Sequence, residues 1–325
     1  MAELTGQEIK RQISEITKDP KQCGFEVYVI TKAEPRLKRM GFVETVDNDL
    51  RQKLKDSILR ILSEKYNSEE AEYVFVDRIA DEQKKFYIIP ISDDYDPFPY
   101  LKIAAGAFNK KDIADATGIA FLIRHRQQQL WVYQHLWSIM VPNKSKKNWM
   151  ARIVSSKEGD VFEEMADPII TFAEKIDLLV MDDCIITSDY NLLQNYFGFQ
   201  DYIRIRADKT IAVVEEKGIV ANVDKLKDYV QRGNGKPKYA KKMMRITDSK
   251  VLKMEPDMLW EKIHQSTRWN GKIKEKDGQF ILETYTQVEA LIDLLDERYT
   301  RSDITDTEYD TDVKQVAEPV AGGTP

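Results

Sequence analysis

The sequence predicts an α+β fold, with strand hairpins in the N-terminal half and helices dominating the C-terminal half. Apolar residues alternate with polar ones in paired runs up to a turn at Asp182-Asp183. From residue 189 onward they recur at three and four positions, the period of a helix with one buried face. At 325 residues with 42% apolar content, the chain can bury a sizeable core. Separation of strands from helices along the chain favours α+β over alternating α/β.

The N-terminal half is predicted to contain two helices, one strand that precedes the second helix, and three hairpins. The predicted helices are 3–18 and 47–66, and the strand is 25–31. The hairpins pair 73–79 with 85–91, then 119–126 with 130–136 around Gln-Gln-Gln, and lastly the strands that flank Asp182-Asp183. Aspartate suits that last turn because it tolerates the required backbone conformation.

Helix signals follow one another in the C-terminal half. We expect helices over 189–197, 222–232, 237–245 and 256–267, a helix or a helix plus strand over 199–218, and a strand pair around Lys276-Asp-Gly278. Asn222 is a predicted N-cap, and Gly233 is suited to the left-handed position that ends a helix. We divide the chain into an N-terminal subdomain (1–150), a C-terminal domain (151–315) and a tail (316–325) that has no periodicity.

A last helix is predicted from four apolar residues on one face, namely Val288, Leu291, Ile292 and Leu295. Thr286-x-x-Glu289 has the spacing of a capping box at its start. An extended polar run with Tyr299 and Tyr309 follows. We expect the segment from Tyr299 to Lys314 to be ordered, because the tyrosines can anchor it and its Ser and Thr hydroxyls can bond nearby backbone groups.

The end of this helix resembles a bacterial domain family best known from the Kiwa anti-phage system, the KwaB family. The resemblance is carried by Leu294-Leu-Asp296 and by the tyrosine, serine, threonine and tyrosine that follow. The segment 175–199 is similar to the strand, turn, strand and short helix of that family, and the likeness extends over roughly 165–315. It implies a role in defence against phage, in which a protein without a membrane anchor binds DNA and works with an integral membrane partner.

Composition excludes several classes of protein. A net charge of −6 argues against a uniformly basic nucleic-acid coat, so such a role needs a local patch. Cys23 and Cys184 provide neither a disulfide framework nor zinc spacing. The N-terminus lacks the pattern of a secretory signal, and the longest uncharged run, 127–143, is too short and polar for a membrane span. We therefore expect a cytoplasmic protein, which a membrane partner could recruit to the inner face of the membrane.

One local patch has a large positive charge, the basic segment from Lys225 to Arg245, which carries +7. Its cations are Lys225, Lys227, Arg232, Lys236, Lys238, Lys241, Lys242 and Arg245. Lysines from two helices on either side of a glycine-containing turn can neutralise phosphates and release counterions, which gives affinity without sequence choice. The alternative is a solvated helix face that only keeps the protein soluble.

Two further basic groups contain a tryptophan. Lys144, Lys146, Lys147 and Arg152 surround Trp149, and the run 268–276 has a similar composition. A tryptophan among lysines can stack on a base, or it can anchor a loop to the core. Neither group contains a motif that reads bases, so sequence specificity is not predicted. We add Lys144, Lys146 and Lys147 to the predicted DNA-binding residues.

An enzymatic alternative is a metal-dependent nuclease. Glu215 and Lys217 match the acid-x-lysine fragment of such enzymes, with Asp208 or Asp182-Asp183 as metal carboxylates. The three histidines share no metal-binding spacing, and His125 and His135 are expected to point to opposite faces of a sheet or to solvent. No phosphate-binding loop is present, so we predict no cofactor and no resident metal.

The acidic segment 293–318 has a net charge of −6. It suits a solvated surface, a docking strip for a basic partner, or a strip that lies against the basic segment and competes with DNA. Self-association, most simply as a dimer, would lengthen the DNA footprint of one basic patch.

Overall fold

The computed structural model describes residues 5–34, 37–44, 46–76, 85–103, 105–137, 151–156, 159–164, 170–182, 184–232, 238–246, 249–266, 269, 272–297, 299–301 and 308–310. The chain divides into two compact units, the first formed by 1–74 and 84–192 and the second by 75–83 and 193–325. In the first unit, strands that precede residue 150 pair with strands that follow it. The division of the chain into folding domains at residue 150 stays a prediction.

The first unit is built on a nine-stranded sheet. Its strands are β1 (Gly24–Glu34), β2 (Leu37–Phe42), β3 (Tyr73–Phe75), β4 (Phe86–Pro90), β5 (Gly106–Ala107), β6 (Ala116–His125), β7 (Gln128–His135), β10 (Leu178–Met181) and β11 (Cys184–Thr187). A separate hairpin pairs β8 (Ala151–Ser156) with β9 (Gly159–Glu164). The order in the large sheet is β3-β4-β11-β10-β7-β6-β1-β2-β5, with antiparallel pairing from β4 to β2. The first predicted hairpin thus appears as two neighbouring strands at one edge.

The second and third predicted hairpins are confirmed, and their turns are short. Met181 pairs with Cys184, and Asp182 adopts a left-handed φ of 48° in the turn. The β6–β7 turn contains only Arg126 and Gln127, with Arg126 at φ 55°. The predicted turn was 127–129, but Gln128 pairs with His125 and already belongs to β7. The turn therefore begins one residue earlier than predicted.

Two helices accompany the sheet in the first unit. Helix α1 (Gly6–Lys18) begins at Thr5, whose hydroxyl accepts from the Glu8 N–H, and it buries Ile9, Ile13 and Ile16 on one face. Helix α2 (Asn48–Ile61) continues as a π-helical turn over Leu62–Tyr66. Both confirm the predicted helices. Among the described residues, no helix has the length and apolar character needed to cross a bilayer.

Helices dominate the second unit. They are α3 (Tyr190–Tyr196, which starts in the first unit), α4 (Phe199–Glu216), α5 (Val223–Gln231), α6 (Lys238–Arg245), α7 (Pro256–Gln265) and α8 (Tyr285–Leu295). The second unit also contains two small hairpins. One pairs β12 (Glu275–Lys276) with β13 (Gln279–Phe280), and the other, after α8, pairs β14 (Tyr299–Arg301) with β15 (Glu308–Asp310). The segment 199–218, left open by the sequence, is one long helix up to Glu216. The strand pair around Asp277-Gly278 is confirmed, with both turn residues at positive φ.

The start of α8 differs from the prediction. The capping box is formed by Thr284 and Gln287: the Thr284 hydroxyl accepts from the Gln287 N–H, and the Gln287 side chain accepts from the Thr284 N–H at 2.9 Å. The sequence offers two overlapping capping boxes, and the prediction chose the one that begins at Thr286. Since the helix begins at Tyr285, Glu289 lies inside it and has another partner. Asn222 is the N-cap of α5, but its side chain makes no capping hydrogen bond.

Candidate nucleic-acid interface

Helices α5 and α6 carry the basic segment, and each turns an apolar stripe inward. Helix α5 buries Leu226, Tyr229 and Val230, while α6 buries Ala240, Met243 and Met244. Apolar residues at these spacings share one helix face, so the intervening lysines lie beside or opposite the core. The predicted cations with described side chains are Lys225, Lys227, Arg232, Lys241, Lys242 and Arg245. Lys238 has a described backbone only, and Lys236, Lys144, Lys146 and Lys147 lie outside the described residues.

Two cations of α5 and its C-cap are held over one phenol ring. The Lys225 ammonium lies 4.4 Å from the centre of the Tyr285 ring, and the Arg232 guanidinium lies 4.0 Å from it. Arg232 also lies 5.6 Å from the Tyr239 ring. The electron-rich face of a phenol attracts a cation at this range. Tyr285 therefore fixes the direction of two long side chains that would otherwise be mobile.

A buried tyrosine supports this arrangement from below. The Tyr229 ring lies 4.6 Å from Tyr239 and 6.1 Å from Tyr285, and its hydroxyl donates to Glu289 Oε1 at 3.0 Å. Burial, followed by the neighbouring Glu289 carboxylate, raises the pKa of Tyr229, so this phenol stays protonated and keeps donating. Helices α5, α6 and α8 are thus tied together beneath the cations.

The three other described lysines of the segment differ in their contacts. The Lys227 ammonium lies 3.2 Å from Glu215, in a pair where both side chains are about half exposed. Lys242 is half-buried and has no ion-pair partner within the part of the chain that the structure describes. Lys241 is also half-buried, and unlike Lys242 its side chain interacts with another residue of the protein. Exposed pairs such as Lys227–Glu215 exchange partners easily, so Lys227 stays available to a phosphate.

Arg245 is different from the other cations of the segment. Its guanidinium lies 3.3 Å from a carboxylate oxygen of Asp296, and the two side chains are only 10% and 7% exposed. A buried ion pair of this kind serves packing, because removing either partner leaves an uncompensated charge in the interior. We therefore do not carry Arg245 into the proposed interface. Asp296 is the aspartate of the Leu294-Leu-Asp296 pattern, which gives that pattern a physical role.

Helix α8 presents an acidic stripe towards α5 and α6. Glu289, Asp293 and Asp296 are four and three residues apart, the spacing of one helix face. Glu289 accepts from Tyr229 on α5, and Asp296 pairs with Arg245 at the end of α6. Of the three alternatives for the acidic segment, the solvated surface is wrong at Asp296, because this residue is buried. The alternative in which the acidic segment lies against the basic segment holds at Asp296 through its ion pair with Arg245. The i, i+4, i+7 spacing of the three acids is the sequence signal that favours it.

The residues of the nuclease hypothesis are not brought into one group. Glu215 and Lys217 lie at the end of α4 rather than on a strand, and Asp208 lies about two turns earlier on the same helix. Asp182 belongs to the first unit, where it accepts from the Gln12 side chain at 3.1 Å. Within the described ranges, no cluster of three or more His, Cys, Asp or Glu side chains is placed to hold a metal ion.

The histidines are inside the protein or paired at its surface. His125 and His135 lie on opposite faces of the sheet, as predicted, but both are buried, so the solvent-facing alternative is wrong. The His135 ring packs edge-on against Trp137, with 4.6 Å between the ring centres. His264 lies 3.2 Å from Glu275 beside the β12–β13 hairpin.

Comparison with known proteins adds one match. A family model described as Kiwa protein KwaB-like matches residues 113–305, which include β6, β7 and all of α3 to α8. No curated protein and no solved structure matches the chain.

Proposed function

We propose, from the premise that the chain belongs to the family of Kiwa KwaB-like proteins, that it acts in an anti-phage defence system. Within that system, the chain holds phage DNA through its phosphates. It blocks replication or transcription by occupying the DNA rather than by cutting it. An integral membrane partner of the same system recruits it, and self-association lengthens its footprint on DNA.

The observation that supports DNA binding best is the arrangement of Lys225 and Arg232 over Tyr285. An arginine fork and a lysine ammonium that are already oriented lose less side-chain freedom when they bind phosphate oxygens. Lys227, Lys241 and Lys242 extend the positive surface along α5 and α6. Such a surface recognises the regular charge of the backbone, and base identity plays no part in it.

Fluorescence anisotropy with a short duplex of arbitrary sequence tests the proposal. Affinity should fall linearly on a log–log plot against salt, with a slope of about −0.9 for each phosphate neutralised. Two duplexes of unrelated sequence should bind equally well. Absence of binding at low salt would refute DNA binding, and a strong preference for one sequence would refute recognition through phosphates alone.

Incubation with plasmid and Mg²⁺ separates occupancy from the nuclease alternative. Occupancy predicts a retarded plasmid that is intact after the protein is removed. Nicking that requires Glu215 and Lys217 would establish the enzyme instead.

A further inference from the structure

The first unit contains a cavity that has no part in the proposed DNA interface. It lies at one end of the large sheet, where the β6–β7 turn, the β10–β11 turn and the segment 96–102 come together. Its volume is about 460 Å³. Small-molecule sites commonly have volumes of about 300–1,000 Å³, so the cavity is large enough for a compact ligand.

Aromatic and aliphatic side chains form its walls. Trp131 on β7 is half-buried, and its indole packs on the Tyr28 ring at 5.1 Å with the two planes tilted by 56°. Phe98 lines the cavity as well and packs on Tyr133 at 5.9 Å. Because both rings are held by a second aromatic ring behind them, they are rigid, and the indole suits a flat ligand.

Polar groups converge on the same space. Gln127 and Gln129, from the turn and the start of β7, line the cavity and are exposed. Neither carboxamide has a hydrogen-bond partner among the residues that the structure describes. Each carboxamide can donate and accept a hydrogen bond. Together they therefore suit the edge of a heteroaromatic ring that carries both hydrogen-bond donors and acceptors.

A carboxylate at the cavity gives a bound ligand a preferred orientation. Asp182 lies in the β10–β11 turn at a φ of 48°, and the Gln12 side chain donates to one of its oxygens at 3.1 Å. Its other oxygen accepts no hydrogen bond from the described residues and can receive an amino group. The second acid, Asp96, is already paired with Lys102 at 2.8 Å. The charges that line the cavity therefore sum to about −1, which disfavours an anionic ligand.

We propose that this cavity binds a neutral nucleoside with an amino-bearing base. The base stacks on Trp131, its amino group donates to Asp182, and the two carboxamides satisfy the rest of its edge. A nucleoside monophosphate binds more weakly, because the uncompensated Asp182 repels its phosphate. The residues that line the cavity belong to the first unit, whereas the basic segment belongs to the second.

Isothermal titration of the full chain with guanosine, adenosine, cytidine and thymidine tests the proposal. Thymidine lacks the exocyclic amine and should bind more weakly than the other three. Trp131→Leu should weaken guanosine binding about tenfold, the size expected for losing one base-stacking contact. Trp131→Phe retains a ring and should lose less, which covers the case in which the leucine variant misfolds.

Asp182→Asn probes the charge, since asparagine also tolerates the left-handed backbone of this turn. It should weaken guanosine binding and remove the disadvantage of guanosine monophosphate. Glu70→Gln, an exposed carboxylate outside the cavity, is the matched control and should change nothing.

Several results would overturn the assignment. These are no binding of any nucleoside at millimolar concentration, equal binding of indole and guanosine, or binding that Asp182→Asn and Gln129→Leu leave unchanged. A wild-type preference for the monophosphate would also overturn it. None of these outcomes bears on whether the basic segment binds DNA.

Discussion

The two ends of the basic segment contain arginines that look equivalent in the sequence and are placed very differently. Arg232, after α5, is exposed and lies 4.0 Å from the centre of the Tyr285 ring. Arg245, at the end of α6, is largely buried and paired with Asp296. One end of the segment offers charge to a partner, whereas the other uses charge for folding. A local sum of +7 therefore overstates the charge that DNA could meet, and burial decides which cations count.

Breaking the buried ion pair between Arg245 and Asp296 should have the largest effect, and that effect is on stability. Arg245→Ala breaks the buried ion pair with Asp296, a change that typically costs about 3–5 kcal/mol of unfolding free energy. Urea denaturation measures it. Lys242→Ala on the same helix is the control and should cost well under about 1 kcal/mol. Equal stability of the two variants would mean that Arg245 is a surface cation like its neighbours.

Charge reversal on α6 should have the next largest effect, this time on DNA. We expect Lys238→Glu, Lys241→Glu and Lys242→Glu together to weaken duplex binding by about a hundredfold or more at low salt, since contacts are lost and repulsion is added. Circular dichroism should show an intact fold. A folded triple variant that retards DNA as well as the wild type would remove α6 from the interface.

Removing the phenol between the two cations of α5 should have a smaller effect. Tyr285→Leu leaves every charge in place but frees Lys225 and Arg232, so affinity should fall about fivefold, as expected for the loss of about 1 kcal/mol of cation–π interaction. The slope of the salt plot should not change, because the number of neutralised phosphates is the same. Tyr285→Phe keeps the ring and should bind nearly like the wild type. A reduced slope would show instead that the leucine variant loses phosphate contacts.

Much of the fold could be predicted because its signals are local. The period of apolar residues is fixed by two or three neighbouring turns, which is why α1, α2, α7 and the β6–β7 hairpin followed from the sequence. The pairing of β4 with β11, about 95 residues apart, has no local signal. The start of α8 was ambiguous because two capping boxes overlap by two residues, and in the fold Glu289 accepts from Tyr229 on α5 rather than closing a box.

The candidate site was harder to predict, for a related reason. Sequence shows how many cations a segment has, but the burial of Arg245 depends on an aspartate 51 positions away. Likewise, Tyr285 lies outside the basic segment, and no local pattern links it to the two cations of that segment that it contacts. The resemblance at Leu294-Leu-Asp296 pointed to the right residue without supplying its role.

The smallest expected effect separates an exposed ion pair from the buried one and also tests the nuclease alternative. Glu215 and Lys227 are 55% and 44% exposed, so Glu215→Gln should change the unfolding free energy by less than about 0.5 kcal/mol. Because it removes a negative charge beside Lys227, DNA affinity should rise about twofold at low salt, and the gain should vanish as salt screens the site. Anisotropy at two salt concentrations measures both. If Glu215 is instead a metal carboxylate, the same variant should abolish Mg²⁺-dependent nicking, and a rise in affinity without any nicking by the wild type favours occupancy.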